Sequence, residues 1–338
     1  MIRGRFLWIL AVCWLLGAGS NPACAQQAMP ASSAVDGETP ADPFPAIAPP
    51  QIIRFPQTGA HDSALLPDAA FPPDAATPVP FTLGEEPWTW QLLPEGLVYK
   101  SYLAGGRESR LATHFVHVRS GDWMWDPTIG GHVGLVRYGS ESVLWPEGWQ
   151  ADAEGAVFPR IRLDGEHTLV STDFRFGFPL TWRRGPLESK FGYYHLSSHL
   201  GDEWMASYQS LQRLNYTRDS LVWGIGLRPV AMLRLYGEAD WSFASDGGSK
   251  PWHFQFGLDL SPVEPNRRFP YPFLAINSVL REEVDFSGSL TVQSGLQWRS
   301  QAGRLLRLGL QYFNGLSEQG QFFRQFEEQI GFGIWYDY

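Results

Sequence analysis

The chain has 338 residues, 44% hydrophobic and 18% charged, with 15 Trp, 12 Tyr and 22 Phe, and a formal net charge of -9. That length suits one large domain or two ordinary ones, and the aromatic content excludes disorder of the whole chain. The acidic balance offers no basic excess to neutralise phosphates, which excludes nucleic acid as the expected partner. No long apolar run follows the N-terminus, so a polytopic helical membrane protein is excluded too.

Met1–Ala25 starts basic (Arg3, Arg5), continues apolar from Phe6 to about Leu16 and closes on Ala23-Cys24-Ala25. That layout predicts a cleaved secretory signal over 1–25, too short in its apolar part for a spanning helix. The rival reading makes Cys24 a lipidated first residue, but that form wants Leu three places earlier, where Asn21 stands. With cleavage after Ala25 both cysteines, Cys13 and Cys24, leave with the signal, and no disulfide is available to the rest. From Gln26 to about Glu85 the chain is rich in Pro and Ala, with prolines from Pro30 to Pro80 and few aromatics. This composition predicts an extended or disordered periplasmic tether, read as a spacer or as a docking tail.

From about Arg110 onward the period becomes two. Trp252, Phe254, Phe256, Leu258 and Leu260 alternate with His253, Gln255, Gly257 and Asp259. Leu221, Trp223, Ile225 and Leu227 alternate with Val222, Gly224, Gly226 and Arg228. Alternation means strands with one apolar and one polar face. Gly and charge on the polar face, with Trp and Tyr at strand ends, fit a lumen and interfacial girdles better than a soluble sandwich. The last strand sets Ile330, Phe332, Ile334, Tyr336 and Tyr338 against Gln329, Gly331, Gly333, Trp335 and Asp337. It resembles the C-terminal signal that hands outer-membrane barrels to their assembly machinery, with Gly333, Tyr336 and Tyr338 matching and Gly331 standing where a polar residue is usual.

The expected fold is therefore all-β, a transmembrane antiparallel β-barrel over residues 86–338 in the bacterial outer membrane, with outer-membrane lipids and the assembly machinery as its partners. Twelve strands are predicted, near 110–118, 129–138, 153–163, 167–178, 188–199, 218–229, 231–243, 250–261, 270–279, 286–299, 302–313 and 327–338. An even count returns both ends to the periplasm. The long stretch Gly139–Gln150 falls on the side expected to have short turns, which leaves ten or fourteen strands open.

The fifth predicted strand holds the one constellation with chemistry. Phe191, Tyr193, His195, Ser197 and His199 share a face, and Lys190 and Gly192 mark the opposite face as lumenal. His195 and Ser197 then point toward lipid near the outer rim, where polar groups are costly and call for an explanation. Residues i and i+2 of a strand lie about 7 Å apart, close enough for an imidazole to reach a hydroxyl and take its proton. A plain polar strand end is the competing reading. His195 and His199, roughly 13 Å apart, are too distant to chelate one ion.

At this strand the chain resembles the outer-membrane phospholipase A family and, more distantly, the lipid A deacylases, which carry a His-x-Ser pair on the lipid face. The resemblance implies Ser197 as nucleophile, His195 as base and an Asn on the next strand as the group that orients the imidazole, here Asn215. Glu203, Asp202 and Gln212 are further candidates for that role. Ser198-His199 replaces the family's Asn-Gly after the serine, and the interval from Ser to Asn is longer. The residues themselves call for no cofactor; the resemblance implies calcium alone. A second resemblance, to a bacterial family known as domain of unknown function 1207, is carried by Leu93–Leu97, Tyr99–Gly105 and Gly192–Glu203. It implies a membrane barrel and no particular activity. The readings left open are a lipid acyl-ester hydrolase, a narrow pore lined by Arg228, Arg234, Glu238, Asp240, Asp259, Arg307 and Asp337, and a structural anchor.

Overall fold

The computed structural model describes residues 87–163, 166–208, 213–266 and 268–338. The predicted signal over 1–25 and the Pro-rich segment over 26–85 lie outside the described residues. Thirteen strands form one antiparallel sheet: β1 Thr89–Leu92, β2 Leu111–Val118, β3 Trp123–Gly139, β4 Gly148–Arg162, β5 Leu169–Arg184, β6 Leu187–Leu200, β7 Thr217–Val230, β8 Leu233–Asp246, β9 Trp252–Leu260, β10 Tyr271–Arg281, β11 Gly288–Arg299, β12 Leu305–Leu316 and β13 Phe326–Asp337. A short helix, α1 (Asp202–Tyr208), lies between β6 and β7. Strands β2 to β13 pair in chain order, and β13 pairs back onto β2 from Gln329↔Val118 to Tyr336↔Leu111. The barrel closes with twelve strands. Closure removes the free edges that an open sheet would present.

From β3 onward the strands run from 9 to 17 residues, at or beyond the roughly ten that cross a hydrocarbon core. Among the described residues no helix is long and apolar enough to cross a membrane, as expected of a chain that crosses with strands. Alternation sets the two faces as anticipated. Ile330, Phe332 and Ile334 of β13 are exposed outside, while Trp335 is 1% exposed inside. Trp223, Ile225 and Leu227 of β7 face out, and Arg218, Ser220, Val222 and Arg228 face in. We call the end that holds Asp337 and the start of β2 the inner end, and the other the outer end.

The sequence-based strand starts at 129 and 153 fall short of the observed ones. β3 begins at Trp123, because Trp123–Thr128 pairs along β2, and β4 begins at Gly148, because Gly148–Asp152 pairs with Gly134–Gly139 of β3. The segment read as Gly139–Gln150 accordingly narrows to the turn between β3 and β4.

β1 was not anticipated. It pairs with Val136–Gly139, on the same edge of β3 that β2 occupies at Trp123–Ile129. It thus continues the line of β2 toward the inner end. Between β1 and β2 the chain leaves the wall and enters the lumen, turning at Leu93, whose φ of 50° is in the left-handed region. Leu97, Val98, Tyr99, Tyr102, Leu103 and Ala104 are all buried there.

The lumenal residues explain this plug. Arg137 of β3 donates to Glu95 O and Gly96 O, both at 2.9 Å, where the segment enters. Tyr102 stacks on Tyr236 with ring centres 3.9 Å apart and donates to Glu238 Oε2 at 2.8 Å. Glu238 also pairs with Lys190 at 2.6 Å. Arg107 reaches Asp173 at 2.7 Å, and Arg110 returns to Asp337 at 2.9 Å. Gly224 supplies the space: a Cβ there would lie 2.9 Å from Tyr102 Oη and 3.0 Å from Tyr99 Oη.

Candidate functional site

β6 carries two sets of groups on opposite faces. Inward, Glu188, Lys190, Tyr194 and Ser198 join the lumenal network, with Ser198 Oγ donating to Asp173 and Tyr194 Oη to Asp240. Outward stand Phe191, Tyr193, His195, Ser197 and His199. The placement of His195 and Ser197 on the outer face follows from the pleat alone, since Lys190 and the residues spaced by two from it are buried.

Neighbouring strands then fix the imidazole. His195 lies directly across from Phe176 of β5 and from Asp219 of β7. The Phe176 ring is 5.3 Å from the imidazole and inclined to it by 31°. On the other side Asp219 Oδ1 is 2.9 Å from His195 Nδ1 and accepts a hydrogen bond from Tyr193 Oη at 2.6 Å. The carboxylate therefore places the proton on Nδ1 and leaves Nε2 as the basic nitrogen. The side chains of His195 and Asp219 are 28% and 29% exposed, accessible from the lipid side but half shielded by the aromatic neighbours.

Ser197 is the next outward residue of β6, opposite Thr217 of β7. No hydrogen bond joins its hydroxyl to His195 in this resting arrangement. The two share a face one pleat apart, and contacts between reacting groups often tighten only on substrate.

Asn215 is elsewhere. It precedes β7, and its amide donates to Asp246 Oδ2 at the end of β8, 2.8 Å away. The structure does not bring it to His195. Of the other proposed orienters, Glu203 accepts from the Leu169 backbone N–H at 2.8 Å, Asp202 begins α1, and Gln212 lies outside the described residues. His199 packs edge-on against Phe174 with ring centres 5.6 Å apart. Asp219 has a signal in the sequence that was not used. Its odd number shares the lipid-facing parity of Leu221 and Trp223, and a carboxylate on that face is as conspicuous as the histidine. Among the described residues no group of three or more His, Cys, Asp or Glu is arranged to hold a metal ion.

The comparisons with known proteins bear on the whole barrel. A family model described as protein of unknown function (DUF1207) matches residues 59–338. The chain belongs to this family. The match begins within the Pro-rich segment and takes in the plug as well as every barrel strand, and the plug is where the motif Leu93–Gly105 sits. No curated protein matches the chain. Among solved structures, outer membrane phospholipase A from Escherichia coli aligns over 69% of this DUF1207 chain and 91% of its own, with TM-score 0.45 and 9% identity. The outer membrane protein OprD from Pseudomonas aeruginosa aligns over 72% and 97%, with TM-score 0.28 and 10% identity. Both are outer-membrane proteins; the functional reading below rests on this chain's own residues.

Proposed function

We propose that the protein is a serine hydrolase of lipid acyl esters acting at the outer leaflet of the bacterial outer membrane, with Ser197, His195 and Asp219 as its reacting unit. One observation carries this reading: a carboxylate, an imidazole and a hydroxyl occupy adjoining outward positions on β6 and β7, where a barrel otherwise presents apolar side chains to lipid. Ionisable groups at such places are expensive, and a functional role compensates the expense.

The chemistry follows from the roles. Asp219 holds the Nδ1 proton and stabilises the imidazolium as it forms. His195 Nε2 takes the proton from Ser197 Oγ, which attacks the acyl carbonyl carbon. The tetrahedral adduct collapses with the C–O bond to the lysolipid broken, and His195 returns the proton to the departing alkoxide. Water, deprotonated by the same nitrogen, then cleaves the acyl-serine ester to release fatty acid and restore Ser197. Because the aromatic groups Phe176, Tyr193 and Phe243 surround the site on the lipid face, the acyl chains need not leave the membrane to reach it.

The test is hydrolysis of a chromogenic acyl ester and of micellar phospholipid by purified, detergent-refolded protein, beside Ser197→Ala. Both proteins must first show the heat-modifiable gel shift of a closed barrel. Activity that disappears in the variant supports the reading. Folded wild type that is inactive with and without calcium removes it, leaving the non-enzymatic barrel. For that second reading the occupied lumen favours a structural anchor over an open pore.

A further inference from the structure

The inner end of the lumen contains a cavity of about 40 Å³, room for a few waters or one small ion. Four cationic side chains line it, Lys100 from the plug, Arg228 from β7, Arg234 from β8 and Arg299 from β11, against two carboxylates, Asp259 and Asp337. The carboxylates are already engaged. Asp337 is paired with Arg110 at 2.9 Å and with Arg307 at 3.0 Å, and Asp259 lies 3.6 Å from Arg234 and accepts the Leu103 N–H.

Glu188, just behind the cavity, is shared by three guanidiniums: Arg234 at 2.5 Å, and Arg183 and Arg228 at 3.5 Å each. Arg183 and Arg228 both lie over the ring of Trp145, at 4.3 and 5.2 Å.

Two cations make no ion pair with a carboxylate among the described residues, although Asp337 and Glu264 act on Arg299, and Glu188 on Lys100, at longer range. Arg299, 6% exposed, donates only to Pro262 O, Gly303 O and Ser261 Oγ. Lys100 donates only to Leu144 O at 3.2 Å. Arg234 Nη2, on a side chain 1% exposed, is buried with no hydrogen-bond partner at all. His132, 6% exposed, also lines the cavity, with its Nε2 turned to Asp152 Oδ2 at 3.4 Å. Burial, and then the positive charges of Arg299, Arg228 and Arg183, hold the Lys100 ammonium well below its usual range. A buried cluster with more cations than carboxylates is costly, and a bound anion is the simplest compensation.

We infer that this cavity is a binding site for a small phosphate-type oxyanion taken up from the periplasmic end of the barrel. The donors come from three strands and the plug, so they converge from several directions rather than in one plane. That arrangement suits a tetrahedral dianion better than a planar carboxylate, and two charges match the two unpaired cations. Leu103 and the plug close the cavity above, and the turn containing Gly303 and the β9–β10 connection at Val263 border it at the inner end. The bound anion would hold the plug to the wall through Lys100. This site is distinct from the lipid-facing one and does not depend on it.

Isothermal titration of refolded full-length barrel with inorganic phosphate, sulfate, acetate and glycerol 3-phosphate at low salt tests it. The expected result is saturable binding of phosphate and sulfate, weaker acetate binding, and a loss of at least about tenfold in phosphate affinity in both Lys100→Met and Arg299→Gln. Glycerol 3-phosphate binding as tightly as phosphate would point to an ester as the natural ligand; exclusion of it points to the free ion. No saturable heat with phosphate or sulfate overturns the inference, as does unchanged affinity in Lys100→Met. If Arg299→Gln does not pass the gel-shift check, Lys100→Met decides alone, because its side chain belongs to the plug and closes no barrel strand pair.

Discussion

Asp219, and not Asn215, is the residue hydrogen-bonded to His195. The reason is register. Antiparallel pairing sets Asp219 directly opposite His195, whereas Asn215 precedes the first paired residue, Thr217, and bonds Asp246 instead. The two assignments separate cleanly by substitution. Asp219→Asn preserves shape while removing the charge that supports the imidazolium, and kcat on acyl esters is expected to fall by about 100- to 10,000-fold. Asn215→Ala is expected to leave kcat within about twofold, because a single exposed hydrogen bond distant from the reacting groups is lost. Equal losses in both variants would restore the role to Asn215. Tyr193→Phe, which removes one of the two hydrogen bonds to Asp219, is expected to cost up to about tenfold, the size of one net hydrogen bond.

The plug is the element that the alternation could not disclose. Its residues Tyr99 and Tyr102 pack on Lys190, Arg234 and Tyr236, and the Tyr99 hydroxyl meets that of Tyr102, which donates to Glu238, so the plug is held by cation–π contact, ring stacking and charge-assisted bonds together. Gly224→Leu would place a side chain where Tyr102 Oη and Tyr99 Oη now lie, and should expel the plug. Faster limited proteolysis between Leu93 and Arg110 in a barrel that still shows the gel shift is the expected result. An unaltered cleavage pattern would mean that the plug is not held against β7.

The outer turn between β10 and β11 offers a pH test of a different contact. Burial raises the pKa of Glu283, but the hydrogen bond from His253 Nε2 at 2.8 Å outweighs burial and lowers it to about 2. A carboxylate depressed in this way contributes stability above its unfolded value of 4.5, and the contribution is lost as pH falls from there toward 2. Thermal unfolding followed from pH 6 to pH 3 should therefore show a steeper acid loss in wild type than in Glu283→Gln, with the variant less stable at pH 6. Parallel curves would show that Glu283 is not ionised in the network.

At the scale of the whole molecule, twelve strands set the bore and the plug fills it. Lumenal charges expected to line a pore instead pair with one another and with the plug: Arg234 with Glu188, Arg307 with Asp337, Arg218 with Asp240, and Lys190 with Glu238. Planar-bilayer recordings of wild type should accordingly show no steady conductance. Replacing residues 94–109 with a short Gly-Ser linker should open a channel in any variant that retains the gel shift. A steadily conducting wild type would mean that the lumen is open despite these contacts. At the inner end, Trp90, Tyr138, Trp149 and Trp182 stand opposite one another across β1, β3, β4 and β5. They form an aromatic row at the level where such rings meet headgroups.

Period-two hydrophobicity predicted the strands and their two faces, and the Gly- and charge-rich polar face with the aromatic last strand turned that pattern into a barrel of about twelve strands. It could do so because the pleat fixes side-chain direction locally, so that parity along Leu221, Trp223 and Ile225 or Ile330, Phe332 and Ile334 is enough. It also placed His195 and Ser197 on the lipid side. Two things were decided only by tertiary structure. Which residue faces His195 depends on strand register, which no single strand encodes, and so Asp219 stands there rather than Asn215. That residues 93–110 lie inside the barrel depends on a lumen shaped by distant strands. A short irregular segment has no period of its own, and it became legible only once Gly224, Tyr236, Glu238 and Asp337 surrounded it.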